Sequence, residues 1–250
     1  MLYVPSSDES KIKKSLGIEV DSIIYDLEDG VPVNRKGQAR ELVTNALNLN
    51  QTPKVELAVR MNALGSGFEM DDLNVILQSK KLNTVIVPKV EHPNTVSFVS
   101  RMIDNVASSE NRNKIGIVAC IESAKGLINI KDIAAADKRV NALLVCIDIH
   151  DKNILTEESR EGAEMGFTGK QVIHPGQIDI VQKVFVPSDV IMLKAWRIVQ
   201  GYKQSMAAGK GAFDLEGQVI DLPLVKWAER ILEKARLAGI DVESKYAKKY

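Results

Sequence analysis

Residues 114–126 read KIGIVACIESAKG. An apolar run from Ile115 to Ile121 carries no alternation and stops abruptly at Glu122. Seven residues are too few for a buried helix, and the lack of alternation fits a strand buried on both faces, the mark of a parallel sheet. A small-residue turn, Ser123-Ala124-Lys125-Gly126, follows and leads into a helical pattern. A carboxylate at the C-terminal tip of such a strand stands where α/β proteins place chemistry rather than packing.

The same unit recurs on both sides. Upstream, residues 2–5 (LYVP) form a short strand, and 21–27 (DSIIYDL) end in Asp26, Glu28 and Asp29. Residues 54–61 (KVELAVRM) are tipped by Arg60 and Asn62, and 83–90 (NTVIVPKV) by Lys89 and Glu91. Downstream, 141–149 (NALLVCIDI) and 169–175 (GKQVIHP, with His174) complete seven strands. Helical patterns separate them, over 9–16, 34–47, 69–78, 92–106, 127–136 and 156–165. Beyond 175 the sequence reads as helices only, over 177–184, 190–206 and 222–238. Strict strand–helix alternation implies a parallel sheet. No GxGxxG or GxxxxGK[ST] follows a strand, so the usual nucleotide fingerprints of open sheets are missing. The polar residues recur instead at strand exits, which converge on one face in a (β/α)₈ barrel.

The expected fold is therefore an α/β, TIM-type (β/α)₈ barrel over 1–175. Residues 176–250 supply its last helix and a C-terminal helical extension. The count does not close. Seven strands are found rather than eight, and 175 residues fall below the ~200 that are the lower limit of this fold. Residues 141–149 are long for a barrel strand, which predicts that a unit is missing inside them.

Composition narrows the function classes. The 250 residues carry 33 basic and 33 acidic side chains, a formal net charge of zero. No general attraction to nucleic acid or to an anionic membrane follows from that balance. No apolar stretch is long enough to span a bilayer, and no targeting segment is read at the start, where Met1–Val4 already forms a strand. Cys120 and Cys146 both sit in apolar runs without a CxxC, and read as buried thiols in a reducing compartment.

Seven stretches carry a resemblance. They are LYVP (2–5), IIYDLEDGVP (23–32), VRMNALGSG (59–67), VPKVE (87–91), IESAKGL (121–127), GFTGKQVIHPGQI (166–178), and GKGAF with VIDLP (209–223). Together and in order they resemble the citrate lyase β-subunit family of the HpcH/HpaI aldolase superfamily, in particular its citrate lyase β-like branch, associated with citramalyl-CoA. The resemblance implies a homotrimeric barrel that breaks a carbon–carbon bond beside a thioester. Citramalyl-CoA or malyl-CoA would yield acetyl-CoA and a small 2-oxo acid, with Mg²⁺ as Lewis acid and template. The compartment would be mitochondrial in a eukaryotic member and cytoplasmic otherwise.

The resemblance also implies roles. Glu122 matches a Mg²⁺ ligand. Arg60 matches a clamp on the substrate's carboxylate or carbonyl, a task suited to its planar fork. Asp221, in VIDLP, matches an aspartate that reaches a neighbouring subunit's site and assists proton transfer. Tyr3, Lys14 and the run Ile147, Asp148, Ile149, His150, Asp151 and Lys152 match positions around coenzyme A. Ser6 stands where the family has glycine. One departure is larger. The family continues its sixth strand into L-x-F-G-x-E-D, whose aspartate is the second metal ligand. Here LLV (143–145) runs directly into CIDIHD (146–151), the family's seventh strand. The expectation is a lyase impaired by that loss. The alternatives are a non-catalytic variant of the enzyme, or a CoA-independent oxo-acid aldolase.

Overall fold

The computed structural model describes residues 1–49, 55–145, 152–207, 213–215 and 217–247. The chain divides into two compact units. One comprises Met1–Leu155 with Lys170–Ile178, the other Thr156–Gly169 with Asp179–Tyr250.

The first unit is built on six parallel strands in sequential order: β1 (Leu2–Pro5), β2 (Ser22–Asp26), β3 (Glu56–Arg60), β4 (Thr84–Val87), β5 (Gly116–Ile121) and β6 (Val140–Val145). Helices intervene: α1 (Glu9–Ser15), α2 (Lys36–Leu49), α3 (Glu69–Ile76), α4 (Pro93–Val106), and a pair, α5 (Ala124–Ile128) and α6 (Ile130–Ala135). Every residue of β2, β4 and β5 is buried, as their unalternating apolar runs require. A doubly wound sheet would reverse its strand order; this one does not. Leu2 also forms a parallel bridge with Val172, closed by Tyr3 N–H to Val172 O (2.9 Å) and Val172 N–H to Met1 O (2.8 Å). The last sheet segment thus lies beside the first strand, as barrel order demands. Among the described residues only β5 pairs with β6, so the barrel is not closed.

Two expectations change. The final strand, expected over 169–175, contributes a bridge at Val172 rather than a full strand. The strand expected over 141–149 is observed as Val140–Val145, and residues 146–151, including Cys146, lie outside the described residues.

Strand register fixes what faces the interior. Tyr3, Ile24 and Ala58 are aligned neighbours, as are Ile86 and Val118, and Cys120 and Leu144. These residues form one apolar cluster. Side chains alternate along a strand, so the positions two residues on from Ile24 and Ala58, namely Asp26 and Arg60, continue the same face to the C-terminal edge.

The remaining elements are α7 (Lys152–Glu164), α8 (Ile178–Phe185), α9 (Asp189–Ala207), β7 (Phe213–Leu215), β8 (Gln218–Ile220), α10 (Leu222–Leu237) and α11 (Val242–Tyr246). In the second unit α9 and α10 pack through Ala195, Ile198 and Val199 against Val225 and Ala228. The antiparallel β7–β8 hairpin corrects the helices-only reading of this region. Its Gly217 has a φ of 82°, and the Gly217 N–H reaches Asp214 Oδ1 at 3.0 Å, a turn that the isolated glycine already encodes. No helix among the described residues is long and apolar enough to cross a membrane.

Candidate active site

The exits of β2, β3, β4 and β5 gather a charged cluster. Asp26, at the tip of β2, is buried and accepts four hydrogen bonds. Two come from backbone N–H groups, Glu28 to Oδ1 and Gly30 to Oδ2, each at 2.9 Å. Two come from the Arg60 fork, Nε to Oδ1 (2.7 Å) and Nη2 to Oδ2 (2.8 Å). Gly30 is required there, since a Cβ would lie 2.5 Å from Asp26 Oδ2. Ser6 is buried beside this turn, its N–H donating to Asp26 O at 3.1 Å.

Arg60 also ion-pairs through Nη1 with Glu28 Oε2 at 3.0 Å and stacks over the Tyr3 ring at 5.0 Å. Burial works against its charge, but Asp26 and Glu28 outweigh burial and hold the guanidinium firmly protonated. A guanidinium has five N–H donors. The two bonds to Asp26 use the Nε hydrogen and one hydrogen of Nη2, which leaves the other Nη2 hydrogen for a further acceptor.

Glu28 is buried, with its second oxygen 2.9 Å from the ammonium of Lys89. Neither of its ion-pair contacts has hydrogen-bond alignment. Burial therefore pushes its carboxyl up, and Lys89 and Arg60 offset that only in part. Beneath it, the buried Lys36 donates to the carbonyls of Leu27 (2.6 Å) and Glu28 (2.7 Å). Asp72, wholly buried, receives Arg40 Nε (2.7 Å) and both the backbone and side-chain N–H of Asn62 (2.8 and 2.7 Å), which fixes the loop after β3.

The segment 89–91 brackets the turn that carries Glu122. Lys89 N–H points at Glu122 Oε1 at 3.5 Å, and Val90 N–H donates to Cys120 O at 2.9 Å. Glu91 accepts Ser123 Oγ (2.8 Å), pairs with Lys125 (3.2 Å), and receives Asn129 Nδ2 on its carbonyl (2.8 Å). Glu122 is exposed.

Four carboxylates (Asp26, Glu28, Asp29 and Glu122) thus share this edge with two cations, Arg60 and Lys89. Counting Lys36 below them still leaves surplus negative charge. Anionic substrate alone does not suit such an edge, whereas a divalent cation with oxygen ligands does. No group of three His, Cys, Asp or Glu side chains among the described residues is gathered for a metal. A single exposed carboxylate such as Glu122 could hold Mg²⁺ only with water and substrate oxygens completing its shell, a mode this ion accepts.

The other expected residues are dispersed. Lys14 is exposed on α1. Beside that helix lies an open cleft of about 690 Å³ lined by Lys11, Lys13 and Arg35 together with Asp8 and Glu9, of which Glu9 pairs with Lys13 at 2.7 Å. Asp221 caps α10, accepting Leu224 N–H at 3.2 Å, and belongs to the second unit. Ile147, Asp148, Ile149, His150 and Asp151 lie outside the described residues, and Lys152 opens α7. His174 is a helix cap, its Nδ1 accepting Gly176 N–H at 3.0 Å.

Comparisons with known proteins bear on the family. Residues 135–240 match the description "C-C bond lyase of the TIM-barrel fold". The human mitochondrial citramalyl-CoA lyase is 32% identical over 94% of this chain and 84% of its own. The citrate lyase subunit β of Haemophilus influenzae is 29% identical over 97% and 98%. The CitE protein of Mycobacterium tuberculosis, solved with magnesium, acetoacetate and coenzyme A, superposes with a TM-score of 0.67 at 25% identity over 94% and 97%. A Burkholderia xenovorans citrate lyase, at 18% identity and a TM-score of 0.73, shares the fold. The alignment with the human protein runs over 287 positions, whereas 94% of this chain is about 235 residues. About fifty of its positions therefore face no residue of this chain. The description "HpcH/HpaI aldolase/citrate lyase" matches residues 1–174, and with that match and the identity to the human enzyme the chain belongs to the HpcH/HpaI aldolase/citrate lyase family.

Proposed function

We propose that the chain is a Mg²⁺-dependent carbon–carbon lyase acting on a 3-hydroxyacyl-CoA thioester, citramalyl-CoA or malyl-CoA, and that it works below the rate of its relatives. The observation that carries this reading is the shared edge of Arg60 and Glu122, a substrate clamp and a metal carboxylate, in a chain 32% identical to a citramalyl-CoA lyase. The retro-Claisen step breaks the bond between the hydroxyl-bearing carbon and the carbon next to the thioester. The hydroxyl gives its proton to a general base as the bond breaks and its oxygen becomes the 2-oxo group of the acid; the other fragment leaves as the enolate of acetyl-CoA, which takes up a proton. Mg²⁺, when bound, polarises the oxo-acid oxygen.

This chain's residues do the rest. Arg60, pinned by Asp26 and paired with Glu28, offers its remaining Nη2 hydrogen to the oxo-acid end. Glu122 holds the metal. The coenzyme is assigned to the α1 side, where Tyr3 lies under Arg60 and where exposed Lys14 is the cation assigned to its phosphates, with 147–152 on the same ligand. Asp221 is assigned to proton transfer in a neighbouring copy of a homotrimer. Exposed Val219 (71%) and Leu222 (50%) on either side of it support a docked arrangement. A mitochondrial form is the reading for a eukaryotic member, a cytoplasmic one otherwise.

The impairment rests on the missing second carboxylate. The positions without counterpart in the human alignment support a lost βα unit at 145/146. The same observation favours a second reading, a non-catalytic variant that retains the scaffold. Pyruvate release from citramalyl-CoA, with Mg²⁺ and with EDTA, separates them on protein that melts cooperatively. The lyase reading expects metal-dependent release, reduced at least ~100-fold in Glu122→Ala. No release from folded protein would move the second reading to the front.

A further inference from the structure

We infer that Lys89 is a positioning residue that locks the substrate clamp to the metal carboxylate, an inference resting on the lyase reading. Among the described residues it is the one non-glycine with a left-handed backbone, at φ 52°. That conformation is unfavourable for an L-residue of this type, and it persists only where surroundings enforce it. Here they do. Val90 N–H is bonded to Cys120 O, Glu91 to Ser123 and Asn129, and Gly126 sits against Val90 O so closely that a Cβ would lie at 2.7 Å. The turn at Lys89 sends its two ends to different halves of the site. Its backbone N–H faces Glu122 Oε1 at 3.5 Å, while its ammonium meets Glu28 Oε1 at 2.9 Å and Asp29 Oδ1 at 3.6 Å. Glu28 in turn holds Arg60 Nη1 at 3.0 Å. One residue therefore sets the separation between the group that grips the oxo acid and the group that grips the metal.

Nothing in composition or spacing assigns Lys89 such a role, and its side chain is half exposed, so its charge does not serve core packing. Removing the ammonium while keeping its length leaves Glu28 tied to Arg60 alone, and pulls the guanidinium off the orientation that Asp26 and Glu28 set jointly.

The test uses Lys89→Met and Lys89→Arg in the full chain, with pyruvate as probe in the presence of Mg²⁺. Calorimetric binding of pyruvate and of coenzyme A is measured separately, with thermal melts alongside. The expected result is a 10–100-fold loss of pyruvate affinity in K89M, the scale of losses at groups that orient ligand-binding residues. Coenzyme A affinity stays at the parent value, and K89R recovers most of the loss. K89M binding pyruvate like the parent overturns the inference alone. K89R failing to rescue, with both variants melting early, assigns Lys89 a merely structural part and also overturns it. A parent chain that binds no pyruvate overturns the lyase reading, and this inference with it.

Discussion

Glu28 is held out of water between Arg60 and Lys89, and its protonation couples the site to pH. Burial raises its carboxyl above the ordinary 4.5, and the two cations only partly offset that. Between 4.5 and the raised value the folded chain keeps a proton that the unfolded chain has released. Unfolding free energy therefore falls as pH rises through that window; the contribution is complete below 4.5 and gone above the raised value. Glutamine is neutral throughout, so Glu28→Gln is expected to remove this part of the slope in urea unfolding as pH rises from 4.5. An unchanged slope would show that Glu28 ionises as it does in the unfolded chain. The sequence showed Glu28 only as a strand-tip acid. Its partners come from β3 and from the exit of β4, more than thirty residues away, and no local pattern records them. Arg60 and Glu122 were legible because each ends an apolar run; Asp26 was legible as an acid but not as the anchor of Arg60, a tertiary pairing.

The exit of β4 and the turn after β5 behave as one piece, because segment 89–91 holds residues 120–129 by backbone and side-chain bonds together. Gly126 is the tightest point of that piece. A Cβ there would meet Val90 O at 2.7 Å and Ile121 Cγ2 at 3.1 Å, one of them backbone that cannot rotate away. Gly126→Ala is expected to cost ~1–3 kcal/mol, the range for forced overpacking. It should lower the melting temperature by several degrees, at ~2–4 °C per kcal/mol for a chain of this size. It should also depress Mg²⁺-dependent turnover, since Glu122 rides on the displaced turn. A variant with the parent's melting temperature and rate would show the piece to be loose. At this scale the strands were well read: the run 115–121 is observed as Gly116–Ile121. Unalternating apolar strands report burial directly. The β7–β8 hairpin escaped because its three-residue strands are too short for periodicity to register. The helix expected over 127–136 is the pair α5 and α6, broken at Asn129, whose amide is drawn away to Glu91 O.

At the scale of the molecule, barrel order is present without barrel closure. Sequential parallel strands and the Leu2–Val172 bridge place the first and last sheet segments side by side, yet among the described residues β6 pairs only with β5. A barrel's strand number, tilt and shear are linked, so a unit cannot be dropped while the other pairings stay as they were. From the strand count and the short barrel the sequence predicts a dropped unit, and the about fifty unmatched positions of the human alignment are on the scale of one βα unit with its loops. The same unit would carry the second metal carboxylate, so one insertion addresses both the open sheet and the thin donor set. Placing the corresponding segment of a citramalyl-CoA lyase between Val145 and Cys146 is expected to raise Mg²⁺-dependent pyruvate release by ~100-fold or more and to lower the Mg²⁺ concentration for half-maximal rate by ~10–100-fold, since a first-shell ligand counts for at least as much as a supporting one. The two readouts separate the causes. A gain in rate without a change in Mg²⁺ demand would credit closure of the sheet, because a better-ordered Arg60 edge speeds the chemistry without adding a ligand. A folded insert with neither gain would mean that the parent chain already has what its site requires, and the proposed impairment would fall.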